Sequence, residues 1–389
     1  MNYTLLTPAR IVFGWGRRTE LPSLLPAGSR RAFVLSGSRT LERLGMVDGV
    51  EGSLSEAGVF VQRFTASARE PEVGDVDQLT AELRAQQPGA GDVVVAIGGG
   101  SAIDLAKAVA ALATNHHGET VTDFLEGVGR GLKIEQPPLP LIVLPTTAGT
   151  GTEATKNAVI SSYDPMFKKS LRSDLMVPQC VLVDPELTIS LPATITASTG
   201  MDAITQLIES YISKRAAPIP QALCEQGLEL ALPAISRAVS DPADRSAREA
   251  MSHAALLSGM ALANSGLGVA HGVAAALGVH CRVAHGLACA VMLPAALRVN
   301  RSVRQAELAR LARRTLAGHW SSDESAAQAL IERIEALCRE VGIPSRLRDL
   351  GVQPEQIPEL VVGSHGNSLS GNPRDLNDSE LTEMLEELW

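Results

Sequence analysis

The hydrophobic pattern changes character part of the way along the chain. Up to about residue 187, short and nearly continuous apolar runs alternate with stretches of helical spacing. Unbroken apolar runs are typical of strands covered on both faces, which occur in parallel sheets. The pattern predicts such strands at Arg31–Ser36, Asp92–Ile97, Pro140–Leu144 and Cys180–Val183, with a helix over Ser101–Leu112.

After Pro185 the strand pattern ends, and apolar residues recur at helical spacing through most of the remaining chain. The predicted helices are Ala197–Ser213, Gln221–Val239, Ala247–Ala263, Gly268–Leu277, Gly286–Asn300, Val303–Ala317, Ser325–Glu340 and Asp378–Leu388. A chain of 389 residues exceeds the size of one core, since single cores stop growing near ~250–300 residues. We therefore expect an α/β domain over residues 1–187 and an all-helical domain over residues 188–389.

Composition and charge exclude several classes of function. The chain has 34 basic and 43 acidic residues, and 3% of its residues are aromatic. Nucleic-acid binding needs a cationic face or stacking rings, so no nucleic acid is expected. The five cysteines include no CxxC spacing, which favours reduced, buried thiols. No signal peptide and no long apolar span are seen, so we expect a cytoplasmic protein that does not bind a membrane.

Two loops that follow predicted strands carry the first candidate chemistry. Gly98-Gly99-Gly100-Ser101 joins a strand to a helix, and Pro145-Thr-Thr-Ala-Gly-Thr-Gly-Thr-Glu153 follows the strand at 140–144. Glycine lets backbone approach a ligand closely, and a helix N-terminus offers N–H groups to a phosphate. Both loops lie where ligands bind in open α/β sheets, which predicts a nucleotide site. The alternatives are glycines required by packing and a threonine turn that caps its own backbone.

These loops belong to a longer set of motifs. Gly98 to Lys107, Pro145 to Glu153, and Val183-Asp184-Pro185-Glu186 leading to Gly200-Met201-Asp202-Ala203 resemble the iron-containing (group III) alcohol dehydrogenase family. The resemblance implies a Rossmann-like α/β nucleotide-binding domain with a parallel sheet, an all-helical domain, and dehydroquinate-synthase-like architecture. It also implies a metal in the interdomain cleft, a homodimer, and NAD(P)-dependent interconversion of small-molecule alcohols with aldehydes or ketones.

The resemblance assigns the cofactor contacts. The residues implied are Gly98, Gly99, Gly100 and Ser101 at the pyrophosphate, Thr146, Thr147 and Thr150 at the nicotinamide, and Asp104, Asn157 and Lys168 close by. NAD-preferring relatives place an Asp after the strand that corresponds to Ala32–Ser36, where this chain has Gly37-Ser38-Arg39. Without that carboxylate a 2′-phosphate is not repelled, and Arg39 is able to pair with one. Ser38 and Arg39 therefore favour NADP, while NAD and dual specificity stay open.

The metal ligands implied by the resemblance are Asp202, residue 206, His271 and His285, which in the family bind divalent iron or zinc. Here the second position is Gln206, one helical turn after Asp202 and thus on the same face. An amide oxygen can still bind a metal, although it is a harder and usually weaker donor than imidazole. Asp202, His271 and His285 are the expected catalytic residues, acting through the metal.

A second departure is Ala275, where relatives carry a histidine assigned to proton relay or substrate contact. His280 is the nearest possible replacement.

Two other functions stay open: a dehydroquinate-synthase-like lyase or cyclase that uses NAD transiently, and a metal-free nucleotide-binding relative. Such lyases carry basic residues near the metal, where this chain has only Arg282, whereas Gln206 and Ala275 keep the metal-free reading open.

Overall fold

The computed structural model describes residues 2–37, 39–66 and 69–389, so the predicted cofactor contact Ser38 lies outside the described residues. The chain divides into two compact units. One unit contains Leu6–Thr147 and Thr152–Ser190, and the other contains Leu191–Trp389 together with Ala148–Gly151 and the N-terminal residues up to Leu5. Within the described residues, no helix has both the length and the apolar character that crossing a membrane requires.

The first unit is built on a parallel sheet. Among the described residues, six strands pair in the order β1-β8-β5-β4-β2-β3, and two more form an antiparallel hairpin, β6-β7. The strands are β1 (Arg10–Phe13), β2 (Arg31–Ser36), β3 (Phe60–Thr65), β4 (Asp92–Gly98), β5 (Leu141–Pro145), β6 (Asn157–Tyr163), β7 (Met166–Arg172) and β8 (Cys180–Val183). The four predicted strands and their parallel pairing are confirmed as β2, β4, β5 and β8.

The strands that the pattern did not predict lie at the edges of the sheet or outside it. The central strand β4 is buried at all 7 positions, so its sequence is continuously apolar after Asp92. The edge strand β3 instead carries Gln62 and Arg63 between its apolar residues, and most of its positions are not fully buried. The helices of this unit are α1 (Leu21–Leu24), α2 (Arg39–Arg43), α3 (Met46–Glu56), α4 (Val73–Ala85) and α5 (Gly100–Leu112).

The second unit is helical throughout its described elements, as predicted. Its helices are α6 (Ala193–Ile212), α7 (Pro218–Ser240), α8 (Arg245–Ala263), α9 (Val269–Cys281), α10 (His285–Thr315), α11 (Asp323–Glu340), α12 (Ile357–Ser364) and α13 (Asp378–Leu388). The two helices predicted at 286–300 and 303–317 run together as α10, with non-helical backbone at Arg304 (φ −133°, ψ 26°). The short α12 was not predicted.

Two glycines of the Thr-Gly loop pack tightly against helices of the second unit. A Cβ built on Gly149 would lie 2.7 Å from the Thr199 Cβ on α6. Gly151 has a φ of +59°, and its Cβ would lie 2.4 Å from the backbone nitrogen of Gly259 on α8. A Cβ on Gly259 would in turn lie 1.9 Å from the Gly151 carbonyl oxygen. Close packing therefore requires the glycines at 149 and 151.

Substitution of two helical glycines by alanine should change the free energy of unfolding in opposite directions, because Gly259 lies in this contact and Gly49 does not. Gly259→Ala drives a methyl group into the backbone of Gly151, and overpacking of this kind lowers the free energy of unfolding by about 1–3 kcal/mol. Gly49 is an exposed position of α3 with no atom within 4 Å of its Cβ position. Gly49→Ala should therefore raise the free energy of unfolding by about 0.5–1 kcal/mol. Urea unfolding of both variants measures the difference, and equal shifts would contradict the contact.

Candidate active site

Side chains from three helices of the second unit converge on one point. Asp202 comes from α6, His271 from α9, and His285 and Cys289 from the start of α10. One ligand atom of each lies within 4.8 Å of all the others. His271 Nε2 lies 3.3 Å from Asp202 Oδ1, and His285 Nε2 lies 3.7 Å from Cys289 Sγ. The structure thus brings together the three residues expected to be catalytic and adds a thiol that the sequence analysis did not single out.

Two polar atoms of this cluster fit a bound cation. Asp202 Oδ1 and His271 Nε2 are buried, and neither has a hydrogen-bond partner among the described residues. The two atoms lie 3.3 Å apart and form an ion pair only when His271 is protonated; beside a neutral ring both stay unsatisfied, at about 1–3 kcal/mol each, unless a cation binds between them. Carboxylate oxygen, imidazole nitrogen and thiolate sulfur are donors that hold zinc or divalent iron. The residues present therefore fit a divalent metal.

The electrostatics of the cluster favour added positive charge. Burial opposes a charge on His271, but Cys289, Asp202 and Glu209 outweigh it and raise the pKa of His271 well above its usual value. Burial alone would raise the pKa of Asp202, yet His271 and His285 hold it below its usual range. Burial raises the pKa of the Cys289 thiol to about 12, whereas a bound metal cation favours the thiolate.

Glu209 orients His271, and the sequence analysis missed it. Its buried carboxylate accepts a hydrogen bond from His271 Nδ1 at 2.7 Å. It also accepts from the backbone N–H groups of Gly268 at 3.0 Å and Ala270 at 2.7 Å, at the start of α9. Because Nδ1 donates to Glu209, Nε2 of the neutral ring carries the lone pair that a metal needs. The available signal was spacing, since Glu209 follows Asp202 by two helical turns.

Two glycines allow the helices to approach at this site. A Cβ on Gly286 would lie 2.7 Å from the Ser198 carbonyl oxygen and 3.4 Å from the Asp202 Cβ. A Cβ on Gly268 would lie 2.7 Å from Glu209 Oε1. The start of α10 can therefore lie directly beside α6, which places His285 next to Asp202.

Gln206 lies one turn after Asp202, as predicted, and its amide is hydrogen-bonded within the protein. Its Nε2 donates to the Thr150 carbonyl at 2.9 Å, and its Oε1 accepts from the Ser258 hydroxyl at 2.8 Å. Gln206 is buried, so water does not compete for either bond. Its role as a metal ligand stays a prediction, and Thr150, a predicted cofactor contact, contributes its carbonyl to Gln206.

His280 lies away from this cluster. It stands nine residues after His271 on α9, a rise of about 13 Å along the helix. Its Nδ1 lies 3.5 Å from Glu359 Oε2 on α12, a side chain that is 66% exposed. This position gives no support to the expectation that His280 replaces the histidine absent at Ala275.

The glycine loop of the first unit joins β4 to α5 and packs closely against neighbouring residues. The strands β4 and β5 end side by side, with Gly98 paired to Pro145, and the Thr146 N–H donates to the Gly98 carbonyl at 3.0 Å. A Cβ on Gly98 would lie 2.5 Å from the Ala102 Cβ, and one on Gly99 would lie 3.1 Å from a Thr147 methyl group. Gly99 precedes α5 and brings no capping side chain. Packing thus accounts for Gly98 and Gly99, which is the alternative that the sequence left open, and phosphate binding by the N–H groups at the start of α5 stays a prediction.

Two other predicted cofactor residues have partners within the protein. The buried Asp104 carboxylate accepts from the Thr152 hydroxyl and from the Val159 N–H at 3.0 Å, and burial raises its pKa. Lys168 Nζ lies 2.6 Å from Glu70 Oε1. Both side chains connect parts of the first unit, and cofactor contact stays a prediction for each.

Lys107 was not predicted as a functional residue. Its buried Nζ donates to the Thr155 hydroxyl at 2.9 Å and to the carbonyl of Asn157, a predicted cofactor contact, at 3.0 Å. Burial lowers the pKa of Lys107 to about 8.

The remaining predicted cofactor contacts are partly or fully exposed. Gly100 and Ser101 at the start of α5 and Thr147 after β5 are partly exposed, and Arg39, the first residue of α2, is exposed.

Comparison with known proteins finds relatives over nearly the whole chain. Residues 8–185 match the family model described as iron-containing alcohol dehydrogenase, and residues 196–389 match that of the Fe-containing alcohol dehydrogenase family, C-terminal. Long-chain-alcohol dehydrogenase 1 of Geobacillus thermodenitrificans is 34% identical, over 91% of this chain and 90% of its own. The 1,3-propanediol dehydrogenase of Klebsiella pneumoniae is 34% identical, over 93% and 92%. A solved 1,3-propanediol oxidoreductase structure is 31% identical, with a TM-score of 0.93 over 100% of both chains.

These matches confirm the fold class: an α/β nucleotide-binding domain and a helical domain in dehydroquinate-synthase-like architecture. The named relatives are alcohol oxidoreductases. They favour the oxidoreductase over the lyase or cyclase and over the metal-free nucleotide-binding relative.

The contacts of Glu209 predict a combined loss of stability and metal affinity. Glu209→Gln puts an amide N–H₂ group among backbone donors and should lower the free energy of unfolding by about 2–4 kcal/mol. It should also weaken Zn²⁺ binding by about 10–100-fold, because His271 loses its orienting carboxylate. Urea unfolding and competition with a chelating dye measure the two effects. The control is Glu359→Gln, which should change neither, and an unaltered Zn²⁺ affinity in the Glu209 variant would refute the orienting role.

Proposed function

Because this chain belongs to the iron-containing alcohol dehydrogenase family and is an alcohol–aldehyde oxidoreductase, we propose that it transfers hydride between NAD(P) and its substrate beside a divalent metal. The observation that carries this proposal is the cluster of Asp202, His271 and His285, in which Asp202 Oδ1 and His271 Nε2 are buried 3.3 Å apart and make no hydrogen bond among the described residues. We propose these three residues as ligands of iron or zinc.

The protein's part in this chemistry is to hold groups in place. When bound, a divalent cation polarises a carbonyl or lowers the pKa of an alcohol, and NAD(P) supplies or accepts the hydride. Asp202 supplies negative charge against the cation, and Glu209 keeps the Nε2 lone pair of His271 directed at it. The three helices that carry the ligands are buried around the site, which limits water near the ligand atoms.

The first unit holds the pyrophosphate of the dinucleotide in this proposal. We propose that the N–H groups at Gly99, Gly100 and Ser101 bind the pyrophosphate, since α5 begins there and its N-cap residue Gly99 brings no capping side chain. Thr146, Thr147 and Thr150 line the nicotinamide side, with Asp104, Asn157 and Lys168 near it. The side chain of Ala275 has no ionisable group. The proton released on alcohol oxidation would therefore pass to water or to a ribose hydroxyl of the cofactor.

NADP is the preferred cofactor in this proposal. The strand β2 ends at Ser36 with no following carboxylate to repel a 2′-phosphate, and the exposed Arg39 begins the next helix.

We also propose a cytoplasmic homodimer. The five cysteines are all free thiols in the structure, which suits a reducing compartment.

Removal of two ligands tests the metal mechanism. The double variant Asp202→Ala with His271→Ala should lose at least ~1000-fold in kcat, since several kcal/mol of charge stabilisation disappear and each tenfold corresponds to about 1.4 kcal/mol. NADPH and NADH oxidation with a panel of aldehydes measures this, alongside fluorescence titration of cofactor binding, which should persist. His365→Ala, at an exposed histidine that pairs with Asp378, is the control and should keep full turnover. Full turnover in the double variant would rule the mechanism out.

A second prediction concerns cofactor choice. Arg39→Ala should raise the KM for NADPH by about tenfold or more, because a charge-assisted contact contributes about 1.5–3 kcal/mol, and should leave the KM for NADH unchanged. Arg43→Ala, at the other end of α2, is the matched control and should alter neither. Initial rates with each cofactor decide the matter. Equal changes for both cofactors, or none, would remove Arg39 from 2′-phosphate recognition.

A further inference from the structure

We propose that Cys289 is the fourth protein ligand of the metal, in place of residue 206, and that its thiolate makes the site select zinc over iron. The inference rests on the proposed function, because it concerns the same centre, but it assigns a ligand that the sequence motifs do not supply.

The position of Cys289 follows from the helix that carries it. His285 and Cys289 are four residues apart on α10, so their side chains lie on one face. Cys289 is fully buried, and its Sγ belongs to the group of ligand atoms that lie within 4.8 Å of one another. The close approach of α10 to α6 at Gly286 brings this face of α10 over Asp202.

The measured separations fit a tetrahedral centre. Zinc bonds are ~2.0–2.1 Å to nitrogen, ~2.0–2.2 Å to oxygen and ~2.3 Å to sulfur, so a tetrahedron has edges of about 3.4 Å between nitrogen and oxygen and about 3.6 Å between nitrogen and sulfur. The observed separations are 3.3 Å from His271 Nε2 to Asp202 Oδ1 and 3.7 Å from His285 Nε2 to Cys289 Sγ. The Cys289 sulfur therefore lies at a ligand-to-ligand distance from His285 Nε2, and within 4.8 Å of a ligand atom of Asp202 and of His271.

Gln206 is held in other contacts. To bind a metal, its Oε1 would have to leave the Ser258 hydroxyl, and a rotation of the amide would also break the Nε2 bond to the Thr150 carbonyl. The rearrangement would therefore break both hydrogen bonds of the buried Gln206 side chain. Cys289 needs no such rearrangement.

Metal choice follows from the sulfur. Binding forms a metal–sulfur bond and breaks the S–H bond, and the proton passes to solvent. A thiolate is a soft donor, and a site with two imidazoles, one carboxylate and one thiolate has the mixed nitrogen, oxygen and sulfur set that zinc accepts in four-coordinate sites. Four protein ligands would fill a tetrahedral site, so a substrate oxygen would have to enter as a fifth ligand, a coordination number that zinc adopts in some catalytic sites.

Spectroscopy of the cobalt-loaded protein tests the proposal without relying on turnover. The metal-free protein loaded with Co²⁺ alone should show a thiolate-to-cobalt charge-transfer band in the near ultraviolet. The band should vanish in Cys289→Ser and persist in Cys338→Ser, whose buried thiol lies on α11 and donates to the Ala290 carbonyl at 3.8 Å. If the serine variant does not fold by circular dichroism, Cys289→Ala serves in its place.

Metal affinity gives a second readout. Zn²⁺ binding in the Cys289 variant should weaken by more than the ~10–100-fold typical of losing an outer partner of a ligand, while Fe²⁺ binding should weaken less. A wild-type protein without the charge-transfer band, or a Cys289 variant that binds Zn²⁺ as tightly as the wild type, would overturn the proposal even if aldehyde reduction proceeds. A band that depends on Cys289 in a protein that reduces no aldehyde would support this ligand and contradict the proposed function.

Discussion

The helical unit depends on one buried carboxylate, that of Glu209. Alone in the interior, its charge would cost several kcal/mol, but the first N–H groups of α9 and His271 Nδ1 surround it with donors. The same bonds close the N-terminus of α9, whose N-cap residue Gly268 has no side chain. One interaction therefore sets where α9 begins, how the imidazole of His271 is turned, and which nitrogen faces Asp202.

Burial explains which elements the sequence analysis could predict. Strands β2, β4, β5 and β8 are covered on both faces, so their apolar runs are visible without a structure. The edge strand β3 and the hairpin β6-β7 mix polar and apolar residues because one side meets solvent, and their pattern does not separate them from loops. Long helices with a continuous apolar face were predictable, whereas the 8-residue α12 offers too few turns for a period.

The site was predictable only as far as its motifs reached. Asp202, His271 and His285 were found through family resemblance, because ligands from three separate helices share no short spacing. Glu209 and Cys289 lie on the same helix faces as two of those ligands, at two turns and at one turn. Their spacing in the sequence makes both residues candidates for the site. Burial and orientation distinguish a ligand from a packed side chain, and these two properties are known only from the fold. The glycines at 149 and 151 show the reverse case, where a motif residue serves packing.

Gln206 and Cys289 are the two unusual residues of the candidate metal centre, and the structure relates one to the other. A chain that loses an imidazole on α6 keeps three ligands, and a metal held by three side chains binds more weakly than one held by four. Here the buried amide at position 206 connects α8 to the loop carbonyl of Thr150, so it has taken a structural role. In our proposal the fourth donor comes instead from α10, where Cys289 follows His285 by one turn. Because Gly286 allows α10 to lie against α6, the replacement needs no change in the backbone around Asp202. The altered ligand set is therefore consistent with a retained metal centre of different selectivity.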